Sequence, residues 1–547
     1  MRVESYLQYT LTRLAQGVEL NTLRNEDCNL DLLNGYKLLE NKLIDLGEHL
    51  NDFCKYLFEK VQITRVPVPK DTDLNHYFEV MNSRGEQLEK HEVVKARLMS
   101  VLHTMEDGTD RDASLNALAK VWDASANMER YIQYGFTTDE RHRLFGENDW
   151  GKFTPSDFVE LCQCLTIEPS NGINSVSNVK TMAEILESTT EKIQKQANHD
   201  QLSERFTSVI NFSNFLLHVL RVWTRKDIPL DDKQLIKQFD DHVCTSAQSV
   251  QGFVFALLKT KYLFDQYIVK REFSDRGDSW SMKRLRYYNS TSQSYINTFD
   301  KEAEGGFEGI NRRILMLLSA LHASTPTLVY KHWLNGALAA LYSMETIRSD
   351  AYLLKLEHLA RQFVYGRYLN PHGSAEYYQM IYLNADYPVL NVESSAVLER
   401  LKYGQIENNL LFNYLDYLIW IDAIYTRKST DEVIKQFEFT ARSSVEHFSP
   451  QHPMEGHTPL LDATLHRFGN LCLISHSKNA RLSNYQPKAK RDHFQAAIAE
   501  NKIDTLKLYE MIKLMDAENS WTEREINIHE QYVMMLLESD SRYGKSA

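Results

Sequence analysis

The stretch that decides the fold lies near the C-terminus and has three parts: SVEHFSPQ at 444–451, HRFGNLCLIS at 466–475 and SKNARLSN at 477–484. Upstream, Phe437-Glu438-Phe439-Thr440 alternates apolar and polar residues as a half-buried strand does, and leads into Val445-Glu446-His447. A polar connection follows, then the apolar run Leu471-Cys472-Leu473-Ile474, then a helix-like stretch from about 487. The pattern reads as strand, loop, strand, helix, and it interrupts a chain that otherwise reads as helical.

Working outward, the helical reading rests on spacing and composition. Apolar residues three or four apart run through Leu32, Leu33, Tyr36, Leu38, Leu39 and Leu43, and similar periodicity marks 88–104, 111–134, 155–165, 176–197, 202–224, 307–366 and on to about 436. The 547 residues include only 21 glycines and 12 prolines, about half the usual share, so both helix breakers are scarce. Val61 to Val68 alternates and carries Pro67 and Pro69, the pattern of a short edge or terminating strand. Arg271 to Arg286 is polar and basic, contains Gly277 and lacks helical period, and reads as a long loop. No repeat of 20–50 residues is visible, which excludes a solenoid. The expected fold class is predominantly α, as multi-helix domains with a small C-terminal ββα module.

The net charge of -12 argues against a protein whose whole surface grips nucleic acid. Charge is unevenly distributed, however. From His466 to Arg491 there are six basic residues (Arg467, Lys478, Arg481, Lys488, Lys490, Arg491) and no acid. Six cysteines without a CxxC pair fit a reducing compartment, with Cys162 and Cys164 read as ordinary half-buried thiols. The N-terminus lacks a signal-sequence pattern, and no apolar run approaches a membrane span. A cytoplasmic location with no membrane partner is expected.

The 437–494 region suits metal-assisted phosphodiester hydrolysis. A neutral histidine can deprotonate water near neutral pH, and His447 on the first strand is the candidate. A hard divalent cation needs oxygen ligands. Glu446 is a candidate if the strand ends there, since neighbouring strand residues otherwise point to opposite faces, and Asn479 on the following helix can complete the set. Asn470 on the second strand is placed to orient the histidine ring. Bland readings compete: a histidine on a strand is commonly a satisfied core residue, a basic run commonly a solvated helix face, and Gly469-Asn470 commonly a turn. Against them stand six histidines, at 447, 452, 457, 466, 476 and 493, crowded into one short region. The acid-His-x-x-Pro-Gln, Gly-Asn-Leu and Lys-Asn signatures also occur there in order.

With those motifs in place, residues 442–494 resemble the His-Me finger (HNH-type) nuclease domain at the C-terminus of GmrSD-type modification-dependent (type IV) restriction endonucleases. The resemblance implies that His447 is the general base, that Asn470 shapes the site, and that Glu446 and Asn479 hold Mg²⁺ or Mn²⁺. The family's acid before the histidine is often Asp, so Glu446 is a departure. A second stretch, Phe78-Glu79-Val80-Met81-Asn82-Ser83-Arg84-Gly85, looks like a segment of the same family's N-terminal nucleotide-dependent domain. There Asn82, Arg84 and Gly85 can form a tight turn presenting an anion-binding guanidinium at a helix entrance. A plain helix-linking turn is the alternative.

The family's ParB/sulfiredoxin-like Asp-Gly-Gln-Gln-Arg motif is absent from this sequence. The expectation is therefore that a partner protein supplies the nucleotide-hydrolysing half, with GTP or ATP shared at Asn82–Gly85; a truncated family member is the rival. The implied organisation is 1–105 as the downstream part of the nucleotide-dependent domain and 106–435 as a helical middle domain. Residues 436–500 then form the nuclease module, and 501–547 are helices packing on it. The implied function is the cleaving subunit of an anti-phage system acting on modified phage DNA. A catalytically idle DNA-binding or assembly subunit and a non-specific nuclease causing abortive infection are the alternatives.

Overall fold

The structure, a computed structural model, describes residues 30–61, 89–166, 205–274, 277–289, 292–299, 309–383, 385–482 and 484–543, together with positions 10, 12, 13 and 16. The chain divides into two compact units, 1–87 and 88–547. In the first, helices α1 (Leu30–Asp45) and α2 (Leu50–Lys60) flank a 3-10 turn, Gly47–His49. Of the expected strand at 61–68, only Val61 is described, as the extended residue that ends α2.

The second unit is predominantly α. Helices α3 (Lys90–Leu102), α4 (Thr109–Ala126), α5 (Thr138–Phe145) and α6 (Phe158–Leu165) precede a short strand, β1 (Phe206–Thr207). Next come α7 (Phe212–Thr224), α8 (Leu235–His242) and α9 (Ala247–Tyr267). α9 starts where the Ser246 hydroxyl accepts the Ser249 N–H, and it is buried nearly all round, so α4, α7 and other helices pack about it. At its C-terminal end the ammonium of Lys261 meets Asp265 at 2.7 Å, and the same carboxylate accepts the Ile132 N–H. That pairing is what permits full burial of the charges.

The expected loop at 271–286 is instead β-structure. β2 (Lys270–Ser274) pairs antiparallel with β1 and with β3 (Gly277–Ser281), and β4 (Lys283–Asn289) pairs with β5 (Ser292–Asn297). Its polar residues are cross-linked rather than solvated. Glu272 accepts both Arg205 and Lys283, and Arg271 pairs with Asp278 and covers the Trp280 ring. Gly277, at φ +108°, takes a left-handed conformation at the hairpin turn that a side chain would strain.

A second helical layer follows: α10 (Ile310–Ser324), α11 (His332–Ser343), α12 (Ser349–Phe363), α13 (Tyr377–Tyr382), α14 (Ser395–Arg400), α15 (Leu410–Ile421) and α16 (Glu432–Lys435). The expected strand at 437–440 does not form. Phe437 and Phe439 are buried and Glu438 half-buried, as the alternation indicated. However, the carbonyls a partner strand would use are taken by side chains: Arg312 donates to Phe437 O at 2.9 Å and Trp280 to Phe439 O at 2.6 Å. Pairing begins later, in β6 (Ser444–His447), which runs antiparallel to β7 (Leu471–Ile474), with the short helix α17 (Asp462–Leu465) in the connection. Helices α18 (His476–Leu482), α19 (Pro487–Ala499), α20 (Leu506–Glu518) and α21 (Glu523–Ser541) complete the chain. Among the described residues no helix is long and apolar enough to cross a membrane.

Two polar hubs and one close backbone approach lock this end together. Asp540 of α21 accepts Arg361 at 2.9 Å and the hydroxyls of Tyr365 and Tyr414. Lys507 of α20 donates to Phe468 O and Leu471 O, bracketing the turn before β7. That turn lies so close to α21 that a Cβ on Gly469 would stand 2.4 Å from Ile526 O. A backbone oxygen inside a helix cannot swing aside, so Gly469→Ala is expected to cost about 2–3 kcal/mol, read as a lower melting temperature of the full chain.

Candidate active site

β6 and β7 form a two-stranded ribbon in register Val445↔Leu473, Glu446↔Cys472 and His447↔Leu471, with α18 following directly. β7 is buried at every position, which explains its unbroken apolar run. β6 ends at His447, so the chain turns away where the expectation required it to.

His447 is 4% exposed. Its Nε2 lies 3.0 Å from Nδ1 of His466, and the Tyr403 ring packs on it with centroids 4.3 Å apart. One proton is shared between the two facing nitrogens, so one ring donates and the other accepts. Burial first, then the neighbouring His466 and Lys490, push the His447 pKa down to about 4. The imidazole is therefore neutral at physiological pH. Tyr403 also fixes the second histidine, since its N–H donates to His466 O at 3.1 Å.

Asn470 acts on backbone rather than on the ring. Its Oδ1 accepts the Ser449 N–H at 2.9 Å and the Trp521 Nε1–H at 3.1 Å; its Nδ2 donates to Ser449 O and Leu465 O. All four bonding positions of the amide are thus used. The expected bond to the His447 ring is replaced by a clamp that sets where the chain goes on leaving that histidine.

Glu446 points to other partners. Its carboxylate meets the buried ammonium of Lys490 at 2.6 Å, and that ammonium also donates to His447 O. Burial raises the Glu446 pKa, with Lys490 opposing. A hard cation requires several oxygen donors. With Glu446 committed to Lys490, and no group of three or more His, Cys, Asp or Glu suited to an ion among the described residues, the arrangement does not fit a ready-made metal site. Asn479 sits half-buried on α18, its N–H bonded to Ser475 O, and no hydrogen bond joins its amide to Glu446 or His447. Asn82, Arg84 and Gly85 lie outside the described residues.

The basic run is largely neutralised by acids from elsewhere in the chain. Arg467 pairs with Glu530, Lys478 with Asp504, Lys490 with Glu446, and Arg491 with Asp492 and Asp516. Arg481 and Lys488 remain exposed without an ion pair among the described residues. In the β4 hairpin, Lys283 and Arg284 are paired with Glu272 and Asp149, and Tyr287 stacks on Trp150.

Sequence reasoning counted His466 in the histidine cluster without giving it a role, and it did not touch Tyr403. It also missed Asp504, which takes the Ser475 N–H, Lys478 and Arg442 and so anchors the start of α18. Tyr403 and Asp504 lie outside the motif stretch, and only three-dimensional packing brings them to it.

Among known families, the model described as GmrSD restriction endonucleases, C-terminal domain, matches residues 393–535, about a quarter of the chain. The matched span takes in β6, β7, α18 and the Tyr403–His447–His466 group. No curated protein and no solved structure matches the chain.

Proposed function

We propose, residues 393–535 being a GmrSD restriction endonuclease C-terminal domain, that this chain is the cleaving subunit of a cytoplasmic defence system against modified phage DNA. The observation that carries the reading is a neutral, buried His447 at the end of β6, braced by His466 and Tyr403 inside that domain. With Nε2–H donating to His466, Nδ1 of His447 is the nitrogen left to take a proton from water attacking the phosphorus. The positive charge that then develops on His447 is shared with His466. Asn470 holds the backbone after the base, and Arg481 and Lys488, exposed without an ion pair among the described residues, are available to neighbouring phosphates.

The resemblance also implies Mg²⁺ or Mn²⁺ at Glu446 and Asn479, which would require Glu446 to leave Lys490. It further implies a partner protein sharing GTP or ATP at Asn82–Gly85. The test is cleavage of modified against unmodified phage DNA, with and without chelator, nucleotide and the protein encoded next to this one. Absence of cleavage under every condition would support an idle assembly subunit instead. Equal cleavage of both DNAs would support a non-specific nuclease.

His466→Ala is expected to slow cleavage about tenfold or more. It should also raise the acid limb of the pH–rate profile toward the ordinary imidazole value, because His466 is one of the groups depressing His447. A purely structural role for His466 would leave the position of that limb unchanged.

A further inference from the structure

We propose that the groove between α7, α11, α12 and α13, in the helical part of the second unit, is a second ligand site that takes a nucleotide unit, a phosphate joined to an aromatic base. Its volume is about 600 Å³, within the range of small-molecule sites. It is lined by Arg225, Lys355 and His358 and by no carboxylate, although the chain carries 74 acids against 62 Lys and Arg. Arg225 and Lys355 are exposed at the rim and form no ion pair among the described residues.

At the base of the groove Gly336 of α11 packs directly against Leu359 of α12, where a Cβ would lie 2.5 Å from its Cδ2, so the two helices approach closely there. Ala339 and Ala340 continue the same low floor along the next turn. Walls of half-buried Trp223 and Tyr342 stand over that floor, and the Lys259 ammonium lies 4.4 Å from the centre of the Tyr342 ring. Aromatic rings beside unpaired cations suit a base that stacks and a phosphate that is neutralised.

The backbone of Arg225 is held by the fold. It ends α7 in a left-handed conformation, φ +54°, a position glycine or asparagine usually takes. Its N–H bonds to Arg221 O, and its carbonyl accepts the Tyr378 hydroxyl at 2.6 Å. These two bonds fix the Arg225 backbone beside the groove.

The chemistry could come from a free nucleotide or from a nucleotide of a DNA strand. Calorimetry on the full chain with GTP, ATP, a ten-residue single-stranded oligonucleotide and inorganic phosphate separates these sources. Binding of a nucleotide in either form, weakened about tenfold or more by Arg225→Glu with Lys355→Glu and reduced by Trp223→Leu, is the expected result. Both rim residues are exposed, so the charge-reversed protein should melt as the parent does. No binding in either form, binding unaffected by the rim variants, or inorganic phosphate binding as tightly as nucleotide would overturn the proposal. His447→Ala protein should bind equally well, which keeps this test independent of the cleavage reading.

Discussion

Replacing His447 by alanine is expected to lower DNA cleavage by on the order of 10²–10⁴-fold while leaving the fold intact. The size follows from the proposed role: among the described residues His447 is the imidazole at the end of β6, with the His466 ring behind it. The fold should survive because the ring contributes one side-chain hydrogen bond, to a half-buried partner, and β6 pairs through its backbone. In the parent protein the acid limb of kcat/KM should fall well below pH 6.5. The folded His447 pKa is near 4, so the base remains unprotonated as the pH drops through the ordinary histidine range. Stability follows the same sign: this histidine favours the folded state fully above about 6.5, and its contribution fades as pH falls toward 4. Plasmid nicking by the purified variant, with melting measured alongside, checks the expectation. Wild-type cleavage by His447→Ala would end it.

Asn470→Ala is expected to have the largest effect on stability. The substitution strands the Ser449 N–H and C=O, the Leu465 carbonyl and the Trp521 indole N–H, all in the interior. With roughly 1 kcal/mol per lost bond, and more where a group stays dry and unpaired, the loss is about 4 kcal/mol. It should appear as faster proteolysis and amide exchange across 448–470 before global melting, because the amide ties that loop to both strands and to Trp521. Ser449→Ala is the control. Asn470 holds the Ser449 backbone rather than its hydroxyl, so that change should be nearly silent. Equal damage from both substitutions would show that packing, not the amide clamp, maintains the loop.

How much of this was legible beforehand depended on the range of the forces involved. Helices α7, α10 and α12 follow from apolar spacing, a property of neighbours within one turn, whereas α9, buried nearly all round, was not read. β7 was legible because the apolar run 471–474 must be buried whatever packs on it, whereas in β6 Val445 is only half-buried and the buried positions are the polar Glu446 and His447. The segment 437–440 alternated correctly and still formed no strand, since Trp280 and Arg312, far away in sequence, hold its carbonyls. Residues 271–286 were misread for the complementary reason. Their charges looked solvated, but Arg205, Asp149 and Glu272 neutralise them across the fold. The same long-range pairing removed most of the +6 run and turned Glu446 toward Lys490. His447 was legible as a residue type on a strand, whereas the end of that strand and the brace of His466 and Tyr403 were not.

The lysine that bridges the turn before β7 has a consequence for anyone who would transplant the cutting module. Lys507 lies on α20, Trp521 just before α21, and Asp504 ahead of both, yet all three hold parts of the β6–β7–α18 ribbon. A graft ending at residue 500 would leave the two strands without their inner buttress, and one beginning at 436 would also forfeit Tyr403. A graft that keeps these three supports and Tyr403 must therefore run at least from the turn carrying Tyr403 into α21, close to the span matched by the restriction endonuclease domain, and it would still forfeit Trp280, Arg312 and Arg361.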